Sequence, residues 1–236
     1  LDTIASGPCV ADSTSFEDCL KILDNYSLFD TVPATVVDYL KRGAAQEKEE
    51  TPRESKEYFE KVTTVIVGSN YEALKESKKK ARELGYNALL LSSQLEGETS
   101  EAAAFHMALA KEVFEHGEPL EKPACLISGG ETTVTLMGDG KGGRNQEFVL
   151  VAGLGANGID DLVVLSAGTD GTDGPTDAAG AFWDSSSLSR AQSLGISAED
   201  YLKRNDSYHF FDQLDDLYKT GPTNTNVMDV RLILLG

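Results

Sequence analysis

Residues 162–177, LVVLSAGTDGTDGPTD, decide how this chain is read. Leu162–Ser166 is a short apolar run without polar alternation, which predicts a strand buried on both faces. The residues that follow are small or acidic and cannot build a core. A buried strand that empties into a glycine-rich polar loop belongs to an α/β domain, where ligand loops gather at the strand carboxyl ends. Working outward, Val62–Val67 predicts a β-branched strand ending at Gly68-Ser69-Asn70, and Leu74, Ala81 and Leu84 mark a helix closed by Gly85. Ala88–Leu91 reads as a strand, and Glu98–Glu115 as a helix with Phe105, Leu109 and Val113 on one face. Cys125–Ser128 and Thr132–Met137 read as strands, Asn145–Ala156 as a helix, and Arg231–Leu235 as the closing strand. The expectation is an α/β domain over residues 61–236, with a mainly parallel sheet flanked by helices.

Upstream the pattern differs. Thr14 and Glu17 have capping-box spacing, with Phe16, Cys19, Leu20 and Leu23 following at helical intervals. A second helix is predicted after Pro33, through Val36, Val37 and Leu40 to Gly43. Residues 44–60, AAQEKEETPRESKEYFE, are charged and nearly free of apolar side chains, so they read as a linker. Residues 1–60 are therefore set apart as a smaller piece. The segment LDTIASGP at 1–8 predicts an extended stretch and turn, and the start at Leu1 without Met reads as a fragment or an internal start.

The chain carries 21 basic and 39 acidic residues, a net charge of −18. That balance argues against nucleic acid and anionic membrane, which are bound by clustered Lys and Arg. No apolar run reaches membrane-spanning length. The three cysteines, Cys9, Cys19 and Cys125, fit no paired spacing and read as reduced thiols. A reducing compartment follows. The cytoplasm is the expected location, with the mitochondrion as alternative.

Five polar constellations carry the chemistry. Ser128-Gly129-Gly130-Glu131 leaves a strand and aims Glu131 from its end. Gly138 to Glu147, GDGKGGRNQE, places four glycines, Lys141, Arg144 and Asn145 at a helix start, where amides, dipole and guanidinium can meet an anion. The flanking glycines predict a solvent-facing Arg144. Taken literally, GDGKGG also matches G-x-G-x-x-G, but a dinucleotide fingerprint follows a buried strand and TTVTLM is polar. Asp170, Asp173 and Asp177 stand on a glycine-rich loop, and Asp170 and Asp173 are candidate Mg²⁺ ligands because that ion takes oxygen donors. Asn205-Asp206-Ser207-Tyr208-His209 and Thr220–Asn226 are dense in hydrogen-bonding side chains. His106 and His116 join no metal-ligand spacing.

Together the stretches SGGETTV, GKGGRNQE, LSAGTDGTDGPTDAAGA, NDSYHFF and TGPTNTNVMD resemble the class II glycerate 2-kinases, whose C-terminal part is the MOFRL domain. ASGP, IVGSN and LSSQLEGE are similar to that family as well. The resemblance implies an incomplete Rossmann-like N-terminal piece before a MOFRL-type α/β domain. It places a glycine-rich segment and an active-site lysine in a region of the family that lies before residue 1. It implies ATP- and Mg²⁺-dependent phosphorylation of D-glycerate at the 2-hydroxyl, giving 2-phosphoglycerate. In that frame Arg144, Asp170 and Asp173 are expected to be catalytic. Glu131, Lys141, Asn145, Asn205, His209 and Asn226 are expected to contact substrate or nucleotide. D-glycerate and ATP are the expected partners, with a homo-oligomer as a further candidate. An NAD(P)-dependent hydroxypyruvate reductase and a non-catalytic remnant are the alternatives.

Overall fold

The structure is a computed structural model and describes residues 9–53, 57–156 and 158–236. The resemblance carried by ASGP, the turn expected over 1–8 and part of the linker expected at 44–60 lie outside the described residues. The chain divides into two compact units, Leu1–Ile66 and Val67–Gly236.

The smaller unit holds α1 (Phe16–Asn25) and α2 (Ala34–Ala44). The capping box exists one residue later than Thr14 and Glu17 suggest. Ser15 Oγ accepts the Asp18 amide, and the Asp18 carboxylate accepts the Ser15 amide. Thr14 is diverted because its amide and hydroxyl both donate to Asp12. Gly43 is buried within α2 because a side chain there would strike the Phe16 ring, which also packs edge-on against Tyr39.

The larger unit runs α3 (Asn70–Glu83), β1 (Asn87–Leu95), α4 (Thr99–His116), β2 (Ala124–Gly130), α5 (Arg144–Gly155), β3 (Leu162–Gly168) and β4 (Gly180–Asp184). Then come α6 (Ser187–Leu194), α7 (Ala198–Lys203), α8 (Ser207–Leu214), β5 (Leu217–Tyr218) and β6 (Asp229–Leu235). Sheet order is β1-β2-β6-β3-β4-β5. The fold is α/β, as read from the sequence, but the mainly parallel sheet is not what forms. Only β1 and β2 pair in parallel; every other neighbour is antiparallel. Strands β1, β2 and β3 do share one direction, but β6 returns between β2 and β3 and reverses the pairing of both. An apolar run reports burial on two faces, not the direction of its neighbour.

Burial on both faces has a clear source. On β2, Ala124 and Leu126 face a core with Phe148, Leu150 and Ile233, whereas Cys125 and Ile127 face Leu74 and Ala81 of α3. Helix α5 lies inside the larger core, with Phe148, Val149 and Leu150 fully buried; each such side chain stabilises the fold by roughly 2–3 kcal/mol.

Two expected strands do not form. Val62–Val67 has no strand partner among the described residues, and Val62, Val65, Ile66 and Val67 are exposed. Strand preference needs a neighbour to pair and pack with. Thr132–Met137 is irregular, with one isolated bridge from Thr133 to Glu98. Among the described residues no helix is long and apolar enough to cross a membrane.

Candidate functional site

The sheet register assembles the site. Asp229 opens β6 and pairs with Gly130 at the end of β2 on one side and Gly168 at the end of β3 on the other. Glu131 and the Thr169–Asp177 loop therefore leave the sheet on either side of Asp229. Helix α5 begins against the same point.

Arg144, the first residue of α5, donates from Nε to Asp229 Oδ2 at 2.7 Å and from Nη2 to Asp229 Oδ1 at 2.9 Å. Its Nη1 meets Glu131 Oε1 at 3.1 Å. The side chain is 29% exposed, so the solvent-facing arginine expected from its glycine neighbours is half-buried and already paired. Asp229 has no exposure and also accepts from Asn145 Nδ2 and from Arg231 Nη2. Arg231 is buried too, and burial pushes its pKa down while Asp229 pulls it back. Its guanidinium lies over the Phe148 ring at 5.3 Å, and among the described residues its Nε and Nη1 meet no hydrogen-bond acceptor.

Asp173 is buried and serves the helix. Its Oδ1 accepts the Asn145 amide at 3.0 Å and its Oδ2 the Gln146 amide at 2.9 Å. These are orphan donors of the first helical turn, and a carboxylate here also meets the positive end of the dipole. The start of α5 thus holds an internal anion. Desolvation raises the Asp173 pKa even though these amides favour the charged form. Asp170 is placed elsewhere: its Oδ1 accepts the Thr172 amide and hydroxyl, and its Oδ2 faces Asn226 Nδ2 at 3.5 Å. Asp170 and Asn226 form one cluster with Thr223, on the loop whose Thr169 bonds to Met228 next to Asp229. Among the described residues no group of three His, Cys, Asp or Glu side chains gathers as metal ligands.

Glycines 138–143 are explained by packing. A side chain on Gly138 or Gly140 would strike the Arg204 backbone, one on Gly142 the Ser207 hydroxyl, and one on Gly143 the Asp173 carboxylate. Asn205 Oδ1 accepts the Met137 and Gly138 amides, and its Nδ2 reaches Glu147 at 3.2 Å. The Lys141 amide donates to Asp206, which also pairs with His209, while Lys141 Nζ sits over Tyr208 at 4.1 Å. The G-x-G-x-x-G match therefore lies on an irregular loop folded against residues 204–207, without a buried strand before it.

Between these loops lies a cleft of about 560 Å³, within the range of small-molecule sites. Glu131, Arg144 and Asn205 line it, with Gly142–Gly143 and Gly174–Pro175. Lys141, Asn145, His209, Asp170, Asp173 and Asn226 do not line it. Glu147 lines it without being one of the expected contacts; burial raises its pKa. Asp229 and Arg231 are not among the expected contacts either. The signal was available: both share the inward phase of β6 with Ile233 and Leu235, where charge is out of place. Beneath them, burial lowers the His106 pKa, with Nδ1 on Ala102 O and Nε2 on the Ser128 hydroxyl, each at 2.7 Å.

Glycine-rich loops thus gather around a paired arginine in one cleft of an α/β domain. A family model described as the MOFRL family matches residues 124–229, and one described as a domain of unknown function (DUF4147) matches residues 1–41. The chain is 41% identical to the D-glycerate 2-kinase of Thermotoga maritima, covering all of this chain and 53% of that protein. It is 37% identical to the glycerate kinase of Macaca fascicularis, covering all of this chain and 69% of that one. The crystal structure of the Thermotoga maritima glycerate kinase superposes with a TM-score of 0.82 over the whole chain and 54% of its own. A Pyrococcus horikoshii crystal structure, 38% identical, gives 0.74 over the whole chain and 53% of its own. The chain belongs to the glycerate kinase family. It spans about half the length of most of these relatives.

Proposed function

We propose that the protein containing this chain transfers the γ-phosphoryl group of ATP to the 2-hydroxyl of D-glycerate. The bond from γ-phosphorus to the bridging oxygen breaks, a bond to the glycerate O2 forms, and the hydroxyl proton is released. The observation that carries this reading is the cleft itself, in which Arg144 lies among the ends of three glycine-rich segments. Its relatives' names supply the substrate. Phosphoryl transfer depends on positioning and charge neutralisation more than on a strong nucleophile. In a chain of net charge −18, an arginine fixed in a cleft is a rare means of meeting an anion. Arg144 is assigned to clamp a carboxylate or phosphate, because its planar fork binds either in a bidentate manner. Asp173 and Asn145 hold the start of α5 on which Arg144 stands, and Asn205 holds the loop opposite.

Mg²⁺ fits less well on these residues alone. Both Asp173 oxygens accept amides of α5, and Asp170 Oδ1 accepts the Thr172 amide and hydroxyl. The ion commonly arrives with nucleotide phosphates and keeps several waters. The test is to incubate the full-length protein with ATP and D-glycerate and resolve 2- from 3-phosphoglycerate by phosphorus NMR. Stoichiometric ADP and 2-phosphoglycerate are expected. Hydroxypyruvate-dependent NADH oxidation without ADP release would replace this reading with the reductase.

A further inference from the structure

The two edges of the Arg144 guanidinium are held by unlike partners. The inner edge, Nε and Nη2, is bound by Asp229, which has no exposure and is held in turn by Asn145 and Arg231. The outer edge, Nη1, meets Glu131, whose side chain is 55% exposed. Both Arg144 and Glu131 line the cleft. We propose that Glu131 is an exchangeable counter-ion and a specificity determinant: it occupies the outer edge of Arg144 until the anionic group of the ligand takes its place. The proposal takes the identity of that group from the kinase reading.

The asymmetry follows from solvation. Breaking the inner pair would strand a buried carboxylate, whereas the outer pair is water-screened and weak. The backbone that delivers Glu131 is fixed, since Gly130 has φ +120° and a side chain there would run into the Leu95 backbone. The glutamate side chain therefore swings from a set origin. A tethered carboxylate acts at an effective concentration on the order of millimolar. Small monovalent anions below that level are refused at Arg144. A ligand that also touches the cleft walls gains the extra affinity needed to displace Glu131.

The experiment compares wild type with Glu131→Gln, a shape-conserving change at an exposed side chain, in the full-length protein. Titration calorimetry with inorganic phosphate and steady-state kinetics with D-glycerate are run in parallel. Loss of the competitor should lower the phosphate Kd and the D-glycerate KM by about two- to five-fold, the range of an exposed ion pair, with the effect carried by KM. Glu131→Asp should fall between the two. An unchanged Kd, or phosphate bound by neither protein, overturns the exchange. A raised Kd or KM overturns it as well and makes Glu131 a direct ligand contact. If wild type forms no phosphoglycerate, the kinase reading fails while the phosphate titration still decides the exchange.

Discussion

At Arg144 the same contacts serve position and chemistry, so its substitutions must separate the two. Arg144→Ala should lower kcat/KM for D-glycerate by about 10- to 100-fold, the worth of a charge-assisted hydrogen bond of roughly 1.5–3 kcal/mol. It should also cost some stability, because Asp229 keeps only Arg231 and Asn145. Lys should recover part of the activity, since a point charge cannot copy the fork. Kinetics beside thermal melts of both variants check this, and wild-type turnover in the Ala variant would remove Arg144 from the chemistry. Glu147 gives a pH signature. Burial raises its pKa above the ordinary 4.5, so the native state favours its protonated form. Its contribution is present in full below the unfolded pKa and is lost as pH rises through the folded one. Glu147→Gln should therefore flatten the decline in stability as pH rises above about 4.5. Melting curves that stay parallel across that window would refute the assignment.

Among the elements, α5 depends most on a residue distant in sequence. Asp173 satisfies two amides of its first turn, and Gly143 leaves room for that carboxylate. Asp173→Ala should destabilise the protein by about 2 kcal/mol, and Asp173→Asn by less, because an amide oxygen can still accept one donor. Urea unfolding of the two variants measures the difference; equal stability to wild type would show that solvent replaces the cap. This helix also marks how far the sequence could be read. Its position was legible to within a residue, because an apolar run from Phe148 follows the polar Arg144–Glu147 start. Its cap was not, because Asp173 lies 28 positions beyond Asn145 and no local pattern joins them. The Gly138–Gly143 run was legible as special but not as packed, since a glycine required by a neighbouring backbone looks identical to one required by a ligand. Helices α6 to α8 escaped the reading because each is short and begins among serine and aspartate, which equally announce turns.

For the whole molecule, the division into Leu1–Ile66 and Val67–Gly236 leaves a long connection. Among the described residues between α2 and α3 there is neither helix nor strand, and most side chains are exposed. Limited proteolysis should cut first between Ala45 and Ser69 and leave the larger unit intact; early cleavage inside residues 124–166 would contradict that division. The larger unit also contains the chain's single tryptophan. Trp183 is 3% exposed and stacked on Phe210, with α5 admitting its indole where Gly153 has no side chain. Intrinsic emission excited through the indole therefore has one origin. It should shift to longer wavelength only when residues 67–236 open to water, and should stay silent while the smaller unit melts. A fluorescence transition that trails the loss of helical circular dichroism would be the optical trace of two units unfolding in turn.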